Sequence, residues 1–249
     1  RLSKGRLNPA EFLCAANDTP APSEGTLAYW PLDNASGAAV TAAATLPEGY
    51  LFYQGMATGS DERARVNLPK RIDDLPRGNV GSVAVSGANL LKADYLGEKL
   101  GLSGAWSVEG WYRPTSATAL VCGTAATAAD AGWRLSFDAT EANPVLKLAA
   151  SGGAAYSPFV NASFAAPKFD VNGWNHILLT YDAGVWSLFV NGESVGSAAS
   201  VWSVASLVED QRGFALGQGC FDMWRAATGV LTVEESFFYE KPGLVITVR

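Results

Sequence analysis

Cysteine, histidine and methionine are scarce in this 249-residue sequence, which contains three, one and two of them, respectively. The cysteines, Cys14, Cys122 and Cys220, are too few and too widely spaced for a disulfide scaffold or a zinc knuckle. One bridge with a leftover thiol and three free thiols both fit this count. Because His176 is the only histidine, any Ser-His-Asp or Cys-His catalytic centre would have to use it.

Clusters of positive charge and long apolar runs are also absent. The 18 Lys and Arg residues are scattered along the chain and the formal net charge is −6, so we expect no nucleic-acid partner. No apolar run approaches the roughly 18 residues that a membrane-spanning helix needs. We therefore expect no direct insertion of this segment into a membrane.

Acidic residues at alternate positions are a third absence. Alternate residues of a strand share one face at roughly 6–7 Å, a spacing that suits two carboxylates on either side of a glycosidic bond. Among the 24 Asp and Glu residues, no two are separated by a single residue. This excludes a glycosidase site built on one strand, but carboxylates from different strands could still meet in space.

The sequence contains many short stretches with a strand pattern, and the pattern is clearest at residues 173–196. Two runs rich in Ile, Leu, Val and aromatics flank Asp182-Ala183-Gly184, and a third run follows Asn191-Gly192. Asn-Gly tolerates the positive φ angles of a primed hairpin turn. The pattern predicts three antiparallel strands, with Ile177, Leu179 and Tyr181 on one face of the first strand.

More than ten such short runs, bounded by Gly, Asn, Asp or Pro, occur along the chain, and amphipathic helices are nearly absent. This pattern predicts an all-β, two-sheet antiparallel sandwich. Pro31 confines its strand to an edge or a strand end. Residues 231–235 predict a single helical turn with Thr232 as its N-cap.

The chain divides into a short leading segment and one large domain. Residues 1–24 contain a Pro-rich, linker-like stretch and are predicted to be the tail of an upstream region, since the sequence does not begin with Met. Residues 25–249 are predicted to form one domain, because 48% hydrophobic residues can build a large core. Mixed charges and prolines predict an inserted surface loop at about residues 50–78.

The run from Trp106 to Pro114 carries the first candidate binding site. Alternation places Trp106, Val108 and Tyr112 on one face and Glu109, Trp111 and Arg113 on the other. An aromatic ring can stack on a sugar while a neighbouring carboxylate or guanidinium bonds its hydroxyls, so we predict Glu109, Trp111 and Arg113 as ligand contacts. The alternative is that Trp111 packs in a second layer while Glu109 and Arg113 pair across strands.

Other aromatic residues are candidates of the same kind, because sugars stack on accessible rings. Most of the eight tryptophans in a sandwich are expected to lie in its core. The further candidates are Trp133, Tyr156, Trp202 and Trp224.

Four stretches in order resemble the laminin-G-like jelly-roll family within the concanavalin A-like lectin and glucanase group. They are LAYWPLD at 27–33, WSVEGWYRP at 106–114, WNHILLTYD with LFVNGE at 174–193, and FDMWR with VLTVEE at 221–235. The resemblance implies a jelly-roll sandwich with His176 as a structural residue of the sheet. Gly110 and Ala226-Ala227 depart from the bulkier residues usual in the family.

The resemblance also implies a function. Because the family includes glycan-binding, adhesion and spacer modules, we expect a non-catalytic binding module that recognises glycan. The alternatives are protein–protein adhesion or a spacer role without a small ligand, and a divergent glycosidase or lyase.

The expected setting is extracellular, cell-surface or periplasmic, with a glycan or a cell-surface protein as partner, alongside other domains of a longer chain. No cofactor is indicated. Calcium is common among the relatives and needs oxygen ligands from loops. The sequence has no dense Asp/Asn/Gly loop, so calcium stays open.

Overall fold

The structure is a computed structural model of the chain. It describes residues 26–30, 40–41, 50–55, 71–72, 82–85, 89–93, 100, 104–125, 131–140, 143–152, 160–200 and 213–236. In this part of the chain nearly all regular structure is antiparallel β-sheet, which confirms the predicted all-β class.

Sixteen strands are formed by the described residues. In chain order they are β1 Thr26–Trp30, β2 Val40–Thr41, β3 Tyr50–Gly55, β4 Arg71–Ile72, β5 Ser82–Val85, β6 Asn89–Ala93, β7 Trp106–Arg113, β8 Thr118–Gly123, β9 Ala131–Asp138, β10 Val145–Gly152, β11 Val160–Ala165, β12 Asn175–Asp182, β13 Val185–Val190, β14 Glu193–Ala199, β15 Phe214–Leu216 and β16 Gly219–Thr228.

The strands form two sheets that pack face to face. The first sheet has the order β14-β13-β12-β7-β16-β5-β4, and β1 also pairs with β16. The second sheet has the order β11-β10-β9-β8-β15-β6-β3-β2. β1 ends at Trp30, and Pro31 lies outside the described residues.

Large aromatic side chains fill the space between the sheets. Trp106 of the first sheet stacks on Trp133 of the second, with ring centroids 5.0 Å apart. Trp186 meets Trp106 edge to face at 5.4 Å. Because such rings bury a large apolar area and prefer these geometries, they hold the two sheets together at this end of the sandwich.

The hairpin region forms β12, β13 and β14 as predicted. Ile177, Leu179 and Tyr181 all lie in the core between the sheets. Asn191 and Gly192 have φ values of 49° and 77°, which are the positive angles that a primed turn requires.

The predicted loop at residues 50–78 is wrong at its start. Tyr50–Gly55 forms β3, which pairs with β6 through Tyr53 and Leu91, and Arg71–Ile72 forms β4. The local sequence Tyr-Leu-Phe-Tyr has high strand propensity, but the charged residues that follow it obscure this signal. β6 was not predicted either. The boundary at residues 24 and 25 lies outside the described residues.

The outward faces of the two sheets differ. On β7, β12 and β16 the outward residues other than Arg113 and Asp182, at the strand ends, are buried: Ser107, Glu109, Trp111, His176, Leu178, Thr180, Cys220, Asp222, Arg225 and Ala227. On β9, β10 and β11 they are half-buried or exposed: Arg134, Ser136, Asp138, Lys147, Ala149, Asn161, Ser163 and Ala165. We call the first set the covered face and the second the open face.

A segment after β16 contributes to the covered face. Leu231 packs with Leu178 and Ala227 on the outside of the first sheet. The next residues form a 3₁₀ turn, Val233–Glu235, with Thr232 as N-cap, which confirms the predicted turn. The side chain of Glu235 accepts a hydrogen bond from the Thr232 amide at 3.0 Å, as in a capping box.

Cys122 and Cys220 are buried free thiols. The described residues therefore contain no disulfide, and Cys14 lies outside them. In the part of the chain that the structure describes, no helix is long and apolar enough to cross a membrane.

Candidate functional site

Glu109 lies at the centre of a buried charge cluster on the covered face. Its Oε2 is 2.8 Å from Nε2 of His176, and its Oε1 accepts a hydrogen bond from Nε of Arg225 at 2.7 Å. A second nitrogen of the same guanidinium also binds Oε1. All three side chains are at most 2% exposed. Both carboxylate oxygens are therefore engaged inside the protein, which is how a buried charge is normally stabilised.

The cluster and Ser107 also form hydrogen bonds with residues 229–235, the segment that covers this face. Nη2 of Arg225 donates to the backbone carbonyl of Glu235 at 2.8 Å. The hydroxyl of Ser107 donates to the carbonyl of Gly229 at 2.8 Å and accepts from the Leu231 amide at 2.9 Å. These bonds tie residues 229–235 to β7 and β16.

Trp111 is 7% exposed and packs in this second layer. Its ring meets the His176 ring edge to face at 5.4 Å. Of the three residues predicted on this strand face, Glu109 and Trp111 thus lie in the second layer. Glu109 pairs across strands with Arg225 and His176, as in the alternative drawn from the sequence.

Arg113 is the member of the predicted set that reaches the surface. It is the last residue of β7 and is half-buried. Its guanidinium carbon lies 5.4 Å from the centroid of the Trp174 ring, within cation–π distance. Trp174 is also half-buried. We call these two residues the Arg113–Trp174 pair.

A hydrogen-bonded turn positions Trp174. The Asn175 side-chain amide donates to the carbonyl of Asp170 at 2.7 Å and to that of Gly173 at 3.1 Å. Its oxygen accepts from the Asp170 amide at 2.7 Å and from the side chain of Asn191 at 3.1 Å. Because Asn175 is fully buried, these bonds fix the start of β12 and the tryptophan that precedes it.

Cys220 lies beside the pair, opposite Arg113 in the β16–β7 register. Nη2 of Arg113 donates to its Sγ at 3.7 Å. Burial raises the pKa of the Cys220 thiol above its usual range, and the nearby Arg113 opposes this only in part. Burial therefore favours the neutral form of this thiol.

The remaining predicted site residues fall in different places. Trp133 and Trp224 are fully buried in the core between the sheets. Tyr156 and Trp202 lie outside the described residues. The structure thus brings Arg113 together with Trp174 and places Glu109 and Trp111 beside them on the covered face.

Trp174 was not among the predicted contacts. Its closeness to Arg113 follows from the register of β7 with β12, in which Tyr112 faces Asn175. That register joins residues more than 60 positions apart, so the local pattern gives no sign of it. A tryptophan directly before a strand and next to a turn at Asn172-Gly173 is the one local signal that could have suggested a surface position.

The described residues contain no group of three His, Cys, Asp or Glu side chains that could hold a metal ion. The turn at residues 170–175 is rich in Asp and Asn. Its oxygens, however, are used within the turn: Oδ1 of Asp170 accepts from the Asn172 amide at 2.9 Å.

Two packed antiparallel sheets with this strand order define a jelly-roll sandwich. A family model of the concanavalin A-like lectin/glucanases superfamily, a laminin-G model, matches residues 85–233, which is more than half of the chain. The chain belongs to this family. No curated protein sequence shows significant similarity to the chain.

Solved structures share the fold at low sequence identity. The binding domain of botulinum neurotoxin DC, in complex with rat synaptotagmin II, is 8% identical with a TM-score of 0.57 over 85% of this chain and 50% of that one. Domain 4 of AbnA, an extracellular arabinanase from Geobacillus stearothermophilus, in complex with arabinotriose, is 18% identical with a TM-score of 0.55 over 84% and 95%. The chain thus spans about half the length of the neurotoxin chains that it matches.

Proposed function

We propose that this domain is a non-catalytic module that binds glycan through the Arg113–Trp174 pair. The single observation that carries the proposal is the half-buried Trp174 ring held 5.4 Å from the Arg113 guanidinium carbon. An accessible indole offers an apolar surface to the C–H groups of a sugar, and a guanidinium donates hydrogen bonds to its hydroxyls. This is the combination that the sequence predicted for the strand, with Trp174 in the place of Trp111.

A rigid setting favours this role. Trp174 follows a turn that Asn175 and Asn191 hold in place through buried side-chain hydrogen bonds. A site on such a framework loses little conformational freedom when a ligand binds. The similar fold of an arabinanase domain in complex with arabinotriose supports the choice of glycan as ligand.

The state of Glu109 supports a non-catalytic role. A glycosidase needs one carboxyl group that reaches the leaving oxygen and a second that reaches the sugar or a water. Both oxygens of Glu109 are bonded to Arg225 and His176, and the side chain is fully buried. Glu109 is the carboxylate of the family-like strand WSVEGWYRP, and in this position it stabilises the fold.

An extracellular, cell-surface or periplasmic setting goes with this proposal, because glycan polymers are encountered there. The proposed partners are glycans, with a cell-surface protein as the alternative partner. The similarity to a neurotoxin domain in complex with synaptotagmin II supports that alternative.

A glycan array probed with the purified 249-residue chain tests the proposal. Binding to a defined set of glycans, without release of reducing ends from those glycans, is the expected result. Binding to no glycan would overturn it and favour an adhesion or spacer role. Release of reducing ends would favour the divergent glycosidase instead.

A further inference from the structure

Among the described residues, Arg134 is the cation of the open face whose side chain has no hydrogen-bond or ion-pair partner. It lies in β9 and is half-buried. Within the part of the chain that the structure describes, its guanidinium makes no hydrogen bond or ion pair. An arginine can bury its aliphatic stem while its guanidinium stays in water, so this position suits an acceptor supplied by a ligand.

The cross-strand neighbours of Arg134 are small. In the sheet register it faces Ala149 of β10 and Gly123 of β8. The first contributes only a methyl group to the open face and the second no side chain. No acidic residue stands in this row, which continues to Asn161 of β11.

The one described carboxylate of the open face is already occupied. Asp138 lies two rows away and binds the Lys147 ammonium at 2.5 Å and the Thr140 hydroxyl at 2.6 Å. Hydrogen bonds from these two side chains hold the pKa of Asp138 well below its usual range. Asp138 therefore stays ionised with Lys147 and does not neutralise Arg134, which leaves the face with one uncompensated positive charge in a chain of net charge −6.

The polar groups around Arg134 suit a sugar. Ser136 follows it on the same face of β9, and Asn161 lies two strands away, within about 10 Å by strand spacing. Described side chains on β9, β10 and β11 present no aromatic ring to this face, so the bases of a nucleic acid would have no stacking surface. Hydroxyl and amide groups beside an arginine fork match the hydroxyls and carboxylate of an acidic sugar.

We infer that the open face is a second glycan site, in which Arg134 binds the carboxylate of an acidic polysaccharide. The site lies on the outside of the second sheet, whereas the Arg113–Trp174 pair belongs to the first. The inference rests on the proposed function only in taking glycan as the ligand class.

The probes for this site are three acidic polysaccharides: polygalacturonate, alginate and hyaluronan. Each is compared with its neutral form, in which the carboxyl groups are reduced. Isothermal titration measures the binding of each to the wild-type chain and to Arg134→Gln, Arg134→Lys and Lys168→Gln. The last variant is the matched control, because it removes one positive charge from an exposed residue elsewhere that pairs with Glu193. Near-ultraviolet circular dichroism verifies that each variant is folded.

The expected result is that at least one acidic polysaccharide binds and that its reduced form binds at least tenfold more weakly. Arg134→Gln should weaken acidic binding at least tenfold and Arg134→Lys by a smaller factor, since lysine keeps the charge without the two-pronged geometry. Lys168→Gln should bind like the wild type. Equal loss in Arg134→Gln and Lys168→Gln would overturn the site, because only net charge would then matter.

Two further outcomes separate this inference from the proposed function. Binding of neutral glycans alone, unaffected by Arg134→Gln, would overturn the acidic site and leave the proposed function standing. Loss of acidic-polysaccharide binding in Arg134→Gln, together with no effect of Trp174→Ala on the binding of any glycan, acidic or neutral, would support the acidic site and count against the Arg113–Trp174 pair.

Discussion

The Trp224 indole occupies the space that a side chain at position 110 would need. A Cβ built on Gly110 would overlap the Trp224 ring, and the indole Nε1 donates to the carbonyl of Trp111 at 2.9 Å. The bulge in β16 between Asp222 and Arg225 allows Trp224 to point into the core. The glycine that departs from the family pattern is therefore matched by a tryptophan on the neighbouring strand.

Gly110→Ala should lower the free energy of unfolding by about 1–3 kcal/mol, because the new methyl group overpacks the core. Urea denaturation followed by tryptophan fluorescence measures this change. In a Trp224→Leu background the added methyl should be better tolerated, so the two substitutions should be non-additive by roughly 0.5–3 kcal/mol. Strict additivity would show that the two residues do not compete for the same space.

Glu109→Gln should destabilise the fold by roughly 3–5 kcal/mol, since it leaves a buried guanidinium without its carboxylate. The control is Lys168→Gln, which breaks an exposed ion pair with Glu193 and should cost roughly 0–1 kcal/mol. The midpoints of urea denaturation give both changes in the free energy of unfolding, provided that the dependence of that free energy on urea concentration is the same in each variant. Similar costs for the two variants would contradict the assignment of Glu109 as the centre of a buried cluster.

Asp138 gives a pH-dependent prediction. Its pKa is lower in the folded chain than the usual value of about 3.9. Its stabilising contribution is therefore present above that usual value and is lost as the pH falls through the folded pKa. Lys147→Met should raise the pKa of Asp138 towards its usual range, because the Lys147 hydrogen bond is the largest cause of the shift.

Carboxyl ¹³C chemical shifts recorded against pH follow this titration directly. Lys168→Met serves as the control and should leave the Asp138 curve unchanged. An Asp138 curve that does not move in Lys147→Met would mean that Thr140 alone holds the carboxylate in its ionised form.

The two sheets and the direction of core side chains were predictable from sequence because the signals are local. Period-two alternation placed Ile177 and Leu179 on one face of their strand, which the structure shows to be the core face, and Asn191-Gly192 gave the turn that joins β13 to β14. The family motifs placed these strands in the correct fold, and the family match at residues 85–233 confirms that resemblance.

The covered face was not predictable in the same way. Glu109 obtains its partners from His176 and Arg225, which lie 67 and 116 positions further along the chain. The alternation pattern shows that a strand has two faces but gives no sign that a later segment will cover the outer one. Glu109 and Trp111 were therefore predicted as surface contacts, although the register of three strands buries both of them.

The affinity of Trp174→Ala for the neutral glycan that binds best on the array is the most direct test of glycan binding by the Arg113–Trp174 pair. Val171→Ala is the matched control, because it shortens an exposed apolar side chain, 41% accessible, in the same turn. We predict that Trp174→Ala remains folded and that its affinity for this glycan is at least tenfold lower, a loss of about 1.4 kcal/mol in binding free energy. Val171→Ala should bind with the affinity of the wild type. Unchanged affinity in Trp174→Ala would contradict this prediction.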